Sequence, residues 1–293
     1  QDSMALMTLL DDIKEQHNWS INVWHGNHKW HNESEKFAKE LKDYCYQKKI
    51  IFFEDSADQI DISTEEKARK WRYEKLVEKA SEICATNKNQ NSLYIVTGHT
   101  STDNTETFLL NLARGSNFGG LSGIPSKRLL NKVYFLVRPL MIFSRNDTTA
   151  ICKKLKIPFW VDPTNSDLQL KRNLIRHKII HELEEIYPGC SNRISNFIEK
   201  IKNISQERSE LCELAIKSCS SDDGIRRTTL NGLGEQARAT ILYSLLSKKC
   251  KKQISSKNIY DLSKQILKKS SGKKCFSNEV EVIWNKNFLK IIP

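Results

Sequence analysis

Two carboxylates in a polar segment are the side chains of this sequence best suited to chemistry. Asp103 and Glu106 lie three residues apart, shortly after an apolar run that ends at Thr97. On a helix, that spacing places both side chains on one face, close to the helix N-terminus. Two carboxylates there can bind a cationic amine or a metal ion, but an isolated Asp-x-x-Glu pattern is also typical of helix capping. The pair alone leaves both roles open.

Two arginines later in the sequence carry the complementary charge. Arg172 and Arg176 are four residues apart, so they share one face of a predicted helix. Guanidinium groups bind carboxylates and phosphates in bidentate fashion. This pair can therefore clamp a phosphate, a substrate carboxylate or a nucleic-acid backbone, and a solvated basic stripe is the structural alternative.

The elements that must position these groups alternate along the first 188 residues. Short apolar runs typical of strands alternate with stretches of helical periodicity. The predicted strands are residues 20–25, 50–54, 92–97, 133–137 and 158–161, and the predicted helices are 2–17, 33–48, 64–86, 102–114 and 147–155. This pattern predicts an α/β fold, a mostly parallel sheet with helices on both faces, in which ligands bind beyond the carboxyl ends of the strands.

The character of the sequence changes near residue 188. The predicted elements become helices at 170–187, 194–219, 235–249 and 256–269, with a terminal β-hairpin of 275–283 and 288–292. We therefore predict two domains, an α/β domain at 1–188 and a small helical domain at 189–293 that ends in the hairpin. The Gly-rich stretch 115–125 is predicted to be a loop.

Most of the excess charge lies in the second domain. The formal net charge is +12, and residues 189–293 carry 20 Lys and Arg against 10 Asp and Glu. A basic appendage on a nearly neutral body favours a polyanionic partner such as nucleic acid. A solvated lysine-rich surface, or AT-rich coding DNA, would produce the same composition.

Two classes of protein are excluded by composition. No stretch approaches eighteen uninterrupted apolar residues, which excludes a membrane-spanning helix. The eight cysteines contain no Cys-x-x-Cys pair, so we interpret them as reduced thiols and not as a disulfide framework or zinc site.

Several short motifs follow one another in order along the first domain. They are Gln1-Asp2-Ser3, Glu65-x-x-Ala68-Arg69-x-x-Arg72-Tyr73, His99 to Thr107, Arg114-Gly115-Ser116, Arg138-Pro139-Leu140, Asp162-Pro163-Thr164-Asn165 and Arg172-Asn173-x-x-Arg176. Together they resemble the adenosine-nucleotide α-hydrolase (PP-loop) superfamily, and within it the tRNA(Ile)-lysidine synthetase family. Each motif alone is weak, whereas the ordered set is specific over residues 1–190.

The resemblance implies a two-step ligation that uses ATP, Mg²⁺ and free L-lysine on tRNA(Ile) with a CAU anticodon. ATP adenylates the C2 oxygen of the wobble cytidine, and the lysine ε-amine then displaces AMP to give lysidine. The modified anticodon reads AUA in place of AUG.

The resemblance also assigns roles to particular residues. Asp2 and Ser3 are expected to bind the pyrophosphate of ATP. Asp103, Glu106, Arg172 and Arg176 are the expected catalytic residues; Asp103 and Glu106 also bind lysine, and Asp103 is a tentative Mg²⁺ ligand. Expected contacts to tRNA are Arg69, Arg72, Lys248, Lys249, Lys251, Lys252, Lys268 and Lys269.

Two departures from the family pattern affect the interpretation. Thr102-Asp103 replaces the usual adjacent aspartates, so only Asp103 corresponds to that pair. The Ser-Gly-Gly of the phosphate-binding loop and the strand before it are missing, which leads us to expect an N-terminally truncated chain.

Two other functions are the alternatives to lysidine synthesis: a PP-loop tRNA thiolase and a catalytically inactive tRNA-binding protein. The lysine- and asparagine-rich sequence looks like a plastid or cyanobacterial member, so we expect the chloroplast stroma, with bacterial cytoplasm as the alternative.

Overall fold

The chain divides into two compact units, Gln1–Lys202 and Asn203–Pro293. The computed structural model describes residues 1–30, 32–57, 64–86, 93–160, 167–250, 254–277 and 280–292. The division lies within one long helix, and the domain boundary predicted at residue 188 stays a prediction.

Helices and strands alternate along the first unit, as the sequence predicts. The strands are β1 (Asn22–Asn27), β2 (Ile51–Ser56), β3 (Tyr94–Val96), β4 (Lys127–Leu130) and β5 (Tyr134–Val137). The helices are α1 (Asp2–Ile13), α2 (Ser34–Gln47), α3 (Glu65–Thr86), α4 (Ser101–Ala113), α5 (Phe118–Leu121), α6 (Arg145–Lys154), α7 (Lys171–Leu174) and α8 (His181–Ile186), and α9 (Cys190–Cys219) begins here. A 3₁₀ turn covers Pro139–Ile142, and a π-helix, Ile175–Ile180, joins α7 to α8.

The strands of the first unit form two small sheets with parallel pairing. β1 pairs with β2 in parallel. β5 lies between β3, to which it is parallel, and β4, to which it is antiparallel. Since parallel strands bring their carboxyl ends to one edge, the segments after β3 and β5 lie side by side. The α/β fold class is thus confirmed.

Apolar side chains of the helices cover these sheets. Met4 and Met7 of α1 share a buried cluster with Cys45 of α2 and Cys152 of α6. A second buried cluster joins α3 to the other sheet, through Ala80, Ile95, Leu130 and Leu136. The first cluster holds α1 against α2 and α6, and the second holds α3 against the sheet of β3, β4 and β5.

Two predictions for the first unit are wrong in detail. The segment 115–125, predicted to be a loop, contains helix α5, and the strand β4 that follows was not predicted. β4 and β5 are joined through Asn131 and Lys132, whose φ angles of 46° and 59° form a tight turn without the glycine that usually signals it. Residues 158–160 form no strand in the described part of the chain, because Trp160 packs against α2 and donates to Glu40 instead.

The second unit is built around a five-stranded antiparallel sheet. After the end of α9 come β6 (Ser220–Ser221), β7 (Gly224–Arg226), α10 (Arg227–Asn231), α11 (Glu235–Ser247), α12 (Ser256–Lys268), β8 (Gly272–Ser277), β9 (Val280–Trp284) and β10 (Phe288–Ile292). The strand order is β6-β7-β10-β9-β8. The core contains Leu242 of α11, Leu262 of α12 and Trp284 of β9.

The predicted terminal hairpin is therefore too small. Residues 275–283 belong to two paired strands, β8 and β9. β8 begins at Gly272, where an added Cβ would meet the Trp284 ring at 2.3 Å, so the strand pairs closely only because that residue is glycine. Among the described residues, no helix has the length and apolar character needed to cross a membrane.

Candidate active site

The start of α4 places Asp103 at the carboxyl end of β3. Thr100 is the N-cap of α4, and its backbone N–H and hydroxyl donate to Asp103 Oδ2 at 2.8 and 2.9 Å. Asp103 is thus the acidic partner of a capping box. Its second oxygen, Oδ1, is directed elsewhere. The capping role and the binding role that the sequence leaves open are therefore compatible in one side chain.

Glu106 lies one turn further along α4 and is completely buried, with 0% of its surface exposed. Arg172 donates from Nε to Glu106 Oε2 at 2.6 Å and from Nη2 to Asp103 Oδ1 at 2.9 Å. Arg176 donates from Nε to Glu106 Oε1 at 2.5 Å. The two carboxylates and two arginines identified in the sequence form one cluster, in which each charge is balanced.

The charges in this cluster hold both kinds of group in their ionised forms. Burial would raise the pKa of Asp103, but the Arg172 charge and the Thr100 N–H outweigh it and keep that pKa below its ordinary value. Burial would lower the pKa of Arg172, but Glu106 and Asp103 raise it. The cluster is therefore a set of true ion pairs with little access to water.

A π-helix sets the direction of the second arginine. Arg172 belongs to α7, and Arg176 lies in the π-helical turn that follows. The wider turn lets both guanidinium groups reach Glu106 while Ile175 and Ile180 stay buried. A π-turn inside a helix is often found at functional sites.

His99 lies between β3 and α4, beside this cluster. Its Nδ1 is 3.0 Å from the hydroxyl of Thr97. Burial is the main reason that the pKa of His99 is lowered to about 4; Asp103 opposes this, whereas Arg138, Arg172 and Arg69 add to it. The imidazole is consequently neutral at pH 7 and can orient neighbours by hydrogen bonding without adding charge.

The N-terminus of α1 lies against the same edge. A Cβ on Gly98 would be 2.9 Å from the backbone of both Asp2 and Ser3, so the loop after β3 and the start of α1 are in close backbone contact. Ser3 is exposed there. The start of α1 and the loop that leads to Asp103 are therefore adjacent at this edge.

Asp2 has protein partners within this edge. Its Oδ2 accepts from Arg145 Nη2 at 2.8 Å, and its Oδ1 accepts from the hydroxyl of Thr148 at 2.6 Å. Sequence reasoning missed both partners. The Ser144-x-x-Asp147 capping box that the structure shows at the start of α6 was the available signal that Arg145 lies in a first helical turn.

A cavity of about 530 Å³ opens beside Arg172 in the first unit. Its lining includes Glu65, Arg69, Asn111, Arg114 and Lys171. The excess of cationic side chains suits a cavity that receives a phosphorylated or otherwise anionic ligand.

The residues expected to contact tRNA are distributed over both units. In α3, the Arg72 Nη2 is 3.0 Å from His28 Nε2, and the Arg69 guanidinium lies 5.7 Å from the Tyr73 ring centre. In the second unit, Lys248 pairs with Glu213 at 3.1 Å and Lys249 donates to the Ile291 carbonyl at 2.7 Å. Lys268 and Lys269 are exposed, and Lys251 and Lys252 lie outside the described residues.

Comparison with known protein families gives a consistent result. Residues 1–183 match the model of the PP-loop domain. A curated tRNA(Ile)-lysidine synthase of Prochlorococcus marinus (strain MED4) is 52% identical over 99% of this chain and 87% of that protein. A chloroplastic tRNA(Ile)-lysidine synthase of Pyropia yezoensis is 35% identical over 64% of this chain and 54% of that protein.

A solved structure shows the same fold. The U34-tRNA thiolase NcsA of Methanococcus maripaludis matches with a TM-score of 0.52 and 16% identity over 68% of this chain and 67% of that one. At this identity the match concerns the fold alone.

Proposed function

The chain belongs to the tRNA(Ile)-lysidine synthases, enzymes of the PP-loop family, and on this premise we propose how its residues join free L-lysine to the wobble cytidine of tRNA(Ile). The proposal depends above all on the cluster of Asp103, Glu106, Arg172 and Arg176 at the carboxyl end of β3. Its carboxylates suit a primary ammonium, and its guanidinium groups suit a phosphate.

In the first step, the O2 of the wobble cytidine attacks the α-phosphorus of ATP and pyrophosphate leaves. The backbone N–H groups at Asp2 and Ser3 support the pyrophosphate end of ATP, because the N-terminus of α1 is a site of partial positive charge. Arg172 and Arg176 neutralise the adenylyl phosphate as it forms, and to do so their guanidinium groups exchange part of their hydrogen bonding to Glu106 for phosphate oxygens.

In the second step, the ε-nitrogen of lysine attacks C2 of the adenylated cytidine, and AMP leaves. The ammonium must lose a proton before it can attack. Asp103 and Glu106 bind the ammonium and accept that proton. For this to happen, the guanidinium groups must release part of the carboxylate surface that they now occupy.

Mg²⁺ accompanies the phosphates of ATP in this proposal. The role of Asp103 as a Mg²⁺ ligand stays a prediction. Both oxygens of this carboxylate already accept hydrogen bonds, Oδ1 from Arg172 and Oδ2 from Thr100. A metal ion would have to displace the arginine. We therefore assign no step of the reaction to this ion.

The tRNA body is assigned to the basic second unit and to Arg69 and Arg72. Lysine contacts to phosphates determine affinity and orientation without reading bases.

The two relatives bear on localisation. The cyanobacterial relative aligns over more of its length and with higher identity than the chloroplastic one. This favours the bacterial cytoplasm of a cyanobacterium over the chloroplast stroma.

The test is transfer of labelled lysine to CAU-anticodon tRNA(Ile) with ATP and Mg²⁺. Asp103→Ala should abolish transfer and leave tRNA affinity within a few-fold. Asp147→Ala is the matched control. Asp147 Oδ2 accepts from the backbone N–H and the hydroxyl of Ser144, both at 2.7 Å, in the same kind of capping box. Among the described residues, no arginine forms an ion pair with Asp147. Both variants should lose about 1 kcal/mol of stability from the cap, and Asp103→Ala should lose more than Asp147→Ala because it also removes the partner of Arg172.

The alternatives predict different results. A wild-type chain that binds the tRNA without transferring lysine would support the inactive tRNA-binding protein. Sulfur incorporation from a thiol donor would support the thiolase. Full activity of Asp103→Ala would contradict the assigned site.

A further inference from the structure

Three arginines surround the ring of Tyr73 in the first unit. The guanidinium carbons of Arg128 and Arg69 lie 4.8 and 5.7 Å from the ring centre. Arg138 is also beside Tyr73, and its positive charge acts on the phenol. We call Tyr73, Arg69, Arg128 and Arg138 the Tyr73 cluster.

The positive charge of this cluster lacks a counterion among the described residues. None of its three arginines is in an ion pair with a carboxylate in that part of the chain, unlike Arg172 and Arg176. Arg138 is 2% exposed; it donates to the Pro125 carbonyl at 2.6 Å and is hydrogen-bonded to the Tyr73 side chain, and neither partner is a carboxylate. The buried Nε atoms of Arg138 and Arg128 have no hydrogen-bond partner.

Such an arrangement is costly without an anion. Removing a guanidinium group from water is unfavourable unless it is paired and its donors are satisfied. Contact with an aromatic ring offsets only part of this cost. The Tyr73 phenol responds to the same field: burial would raise its pKa, but Arg69, Arg138 and Arg128 together lower it below its ordinary value.

The cluster lies at the ligand-binding edge of the sheet. Arg138 directly follows β5, and Arg128 of β4 is paired in register with Leu136, near the end of β5. Thr97, which leads to His99 and α4, donates its backbone N–H to Val137 at the end of β5. The charges of Asp103, Arg138 and Arg69 all act on His99. The unbalanced arginines and the carboxylates of the active site therefore flank the same histidine.

We propose that the Tyr73 cluster binds the α-carboxylate of the lysine substrate. The inference rests on the proposed function, since it concerns the other end of the molecule whose ammonium is assigned to Asp103 and Glu106. An amino acid has one anionic and one cationic end, and the sheet edge offers a cationic subsite, in which Arg138 is buried, beside a buried anionic one. A small carboxylate suits Arg138, which is almost inaccessible, better than a polymer phosphate does.

The test compares L-lysine with cadaverine, which has the same amine and chain but no carboxylate. Binding of each radiolabelled compound to the full chain is measured by equilibrium dialysis, and the KM of each is measured in the transfer assay. The wild type should bind lysine at least tenfold more tightly than cadaverine, as expected for hydrogen bonds to a charged group.

Two variants remove cluster charges, and one control removes a charge elsewhere. Arg128→Gln should weaken lysine binding about tenfold or more and leave cadaverine binding within twofold. Arg69→Gln, at an exposed position, should weaken lysine binding relative to cadaverine binding in the dialysis measurement, which contains no tRNA, even if the first variant folds poorly. Lys154→Gln, on the exposed end of α6, should leave the affinity for both ligands unchanged.

Each outcome separates the inference from the proposed function. If the cluster variants lose affinity for lysine and cadaverine equally, or lose affinity for neither, the proposed carboxylate subsite is wrong. An increase only in the KM for tRNA or for ATP would show that the cluster binds a phosphate instead. Selective lysine binding without lysidine formation by the wild type would support the subsite and contradict the proposed reaction.

Discussion

At the scale of single residues, Glu106 is the side chain on which the charge balance of the active site depends. It has no exposed surface and accepts hydrogen bonds from both Arg172 and Arg176. Glu106→Gln should therefore lower the free energy of unfolding by about 3 kcal/mol, because the two guanidinium groups then share Asp103 and the exposed Glu65, which lies 3.7 Å from Arg172 Nη1.

Urea unfolding of the wild type and the variant measures this loss. Glu199→Gln is the matched control, since Glu199 forms an exposed pair with Lys202 at 2.8 Å and its loss should cost less than about 1 kcal/mol. If Glu106→Gln were as mild as the control, the cluster would have to be solvated.

A second residue-scale prediction concerns the acid sensitivity of the fold. The pKa of His99 is about 4 in the folded chain against an ordinary value of 6.5, chiefly because of burial. The unfolded chain then binds more protons between these pH values, so the contribution of His99 to stability is complete above pH 6.5 and is lost as the pH falls toward 4.

His99→Gln should retain roughly 1–2 kcal/mol that the wild type loses between pH 7 and pH 5, with allowance for partial solvent screening. Urea midpoints at the two pH values provide the measurement. His25, whose pKa is also lowered by burial, keeps part of the acid sensitivity in the variant. An identical pH dependence of the two proteins would contradict the prediction.

The sequence singles out the residues of the candidate active site, whose roles stay predictions, but it does not indicate their contacts with one another. The spacing of Asp103 and Glu106, and of Arg172 and Arg176, indicated two helix faces of opposite charge. It did not indicate that these faces meet, because contact between residues some seventy positions apart depends on the packing of the whole unit. Arg138 was visible only as part of a motif, and its burial follows from the strand order β3-β5-β4.

At the scale of elements, the π-helix is the feature that helical periodicity could not indicate. Residues 170–187 were correctly predicted to be helical, but a period of 3.6 does not distinguish a regular turn from a π-turn. The spacing of Arg172 and Arg176 already places both on one helix face, and the extra residue in Ile175–Ile180 lets the chain after them turn so that Ile180 is also buried. Likewise, β4 was missed because the three-residue turn that joins it to β5, residues 131–133, contains no glycine.

Deletion of the exposed Lys178 should convert the π-turn to a regular helix. Removing one residue rotates the elements before and after it by about 100° relative to each other. The arginine pair and the buried Ile180 then cannot both keep their places, so lysine transfer should fall at least tenfold and the unfolding midpoint should decrease. Lys178→Ala keeps the register and should change neither quantity. Full activity of the deletion variant would show that the π-turn is dispensable.

At the scale of the whole molecule, the uneven distribution of charge has a measurable consequence. The formal net charge is +12, and residues 189–293 contribute most of it. If total charge alone attracted the tRNA, lysines of either unit would be equivalent. If the second unit contacts phosphates, its exposed lysines release counterions on binding and those of the first unit do not.

Two variants with the same change of net charge distinguish these cases. One replaces Lys248, Lys249, Lys268 and Lys269 with Gln, and the other replaces Lys36, Lys48, Lys153 and Lys154, all exposed, in the first unit. The slope of log Kd for tRNA against log salt concentration should decrease by about three in the first variant, since each phosphate contact contributes roughly 0.7–0.9. It should stay unchanged in the second. Equal changes in the two slopes would mean that the charge acts at long range, and the second unit would lose its assignment as the surface that contacts tRNA.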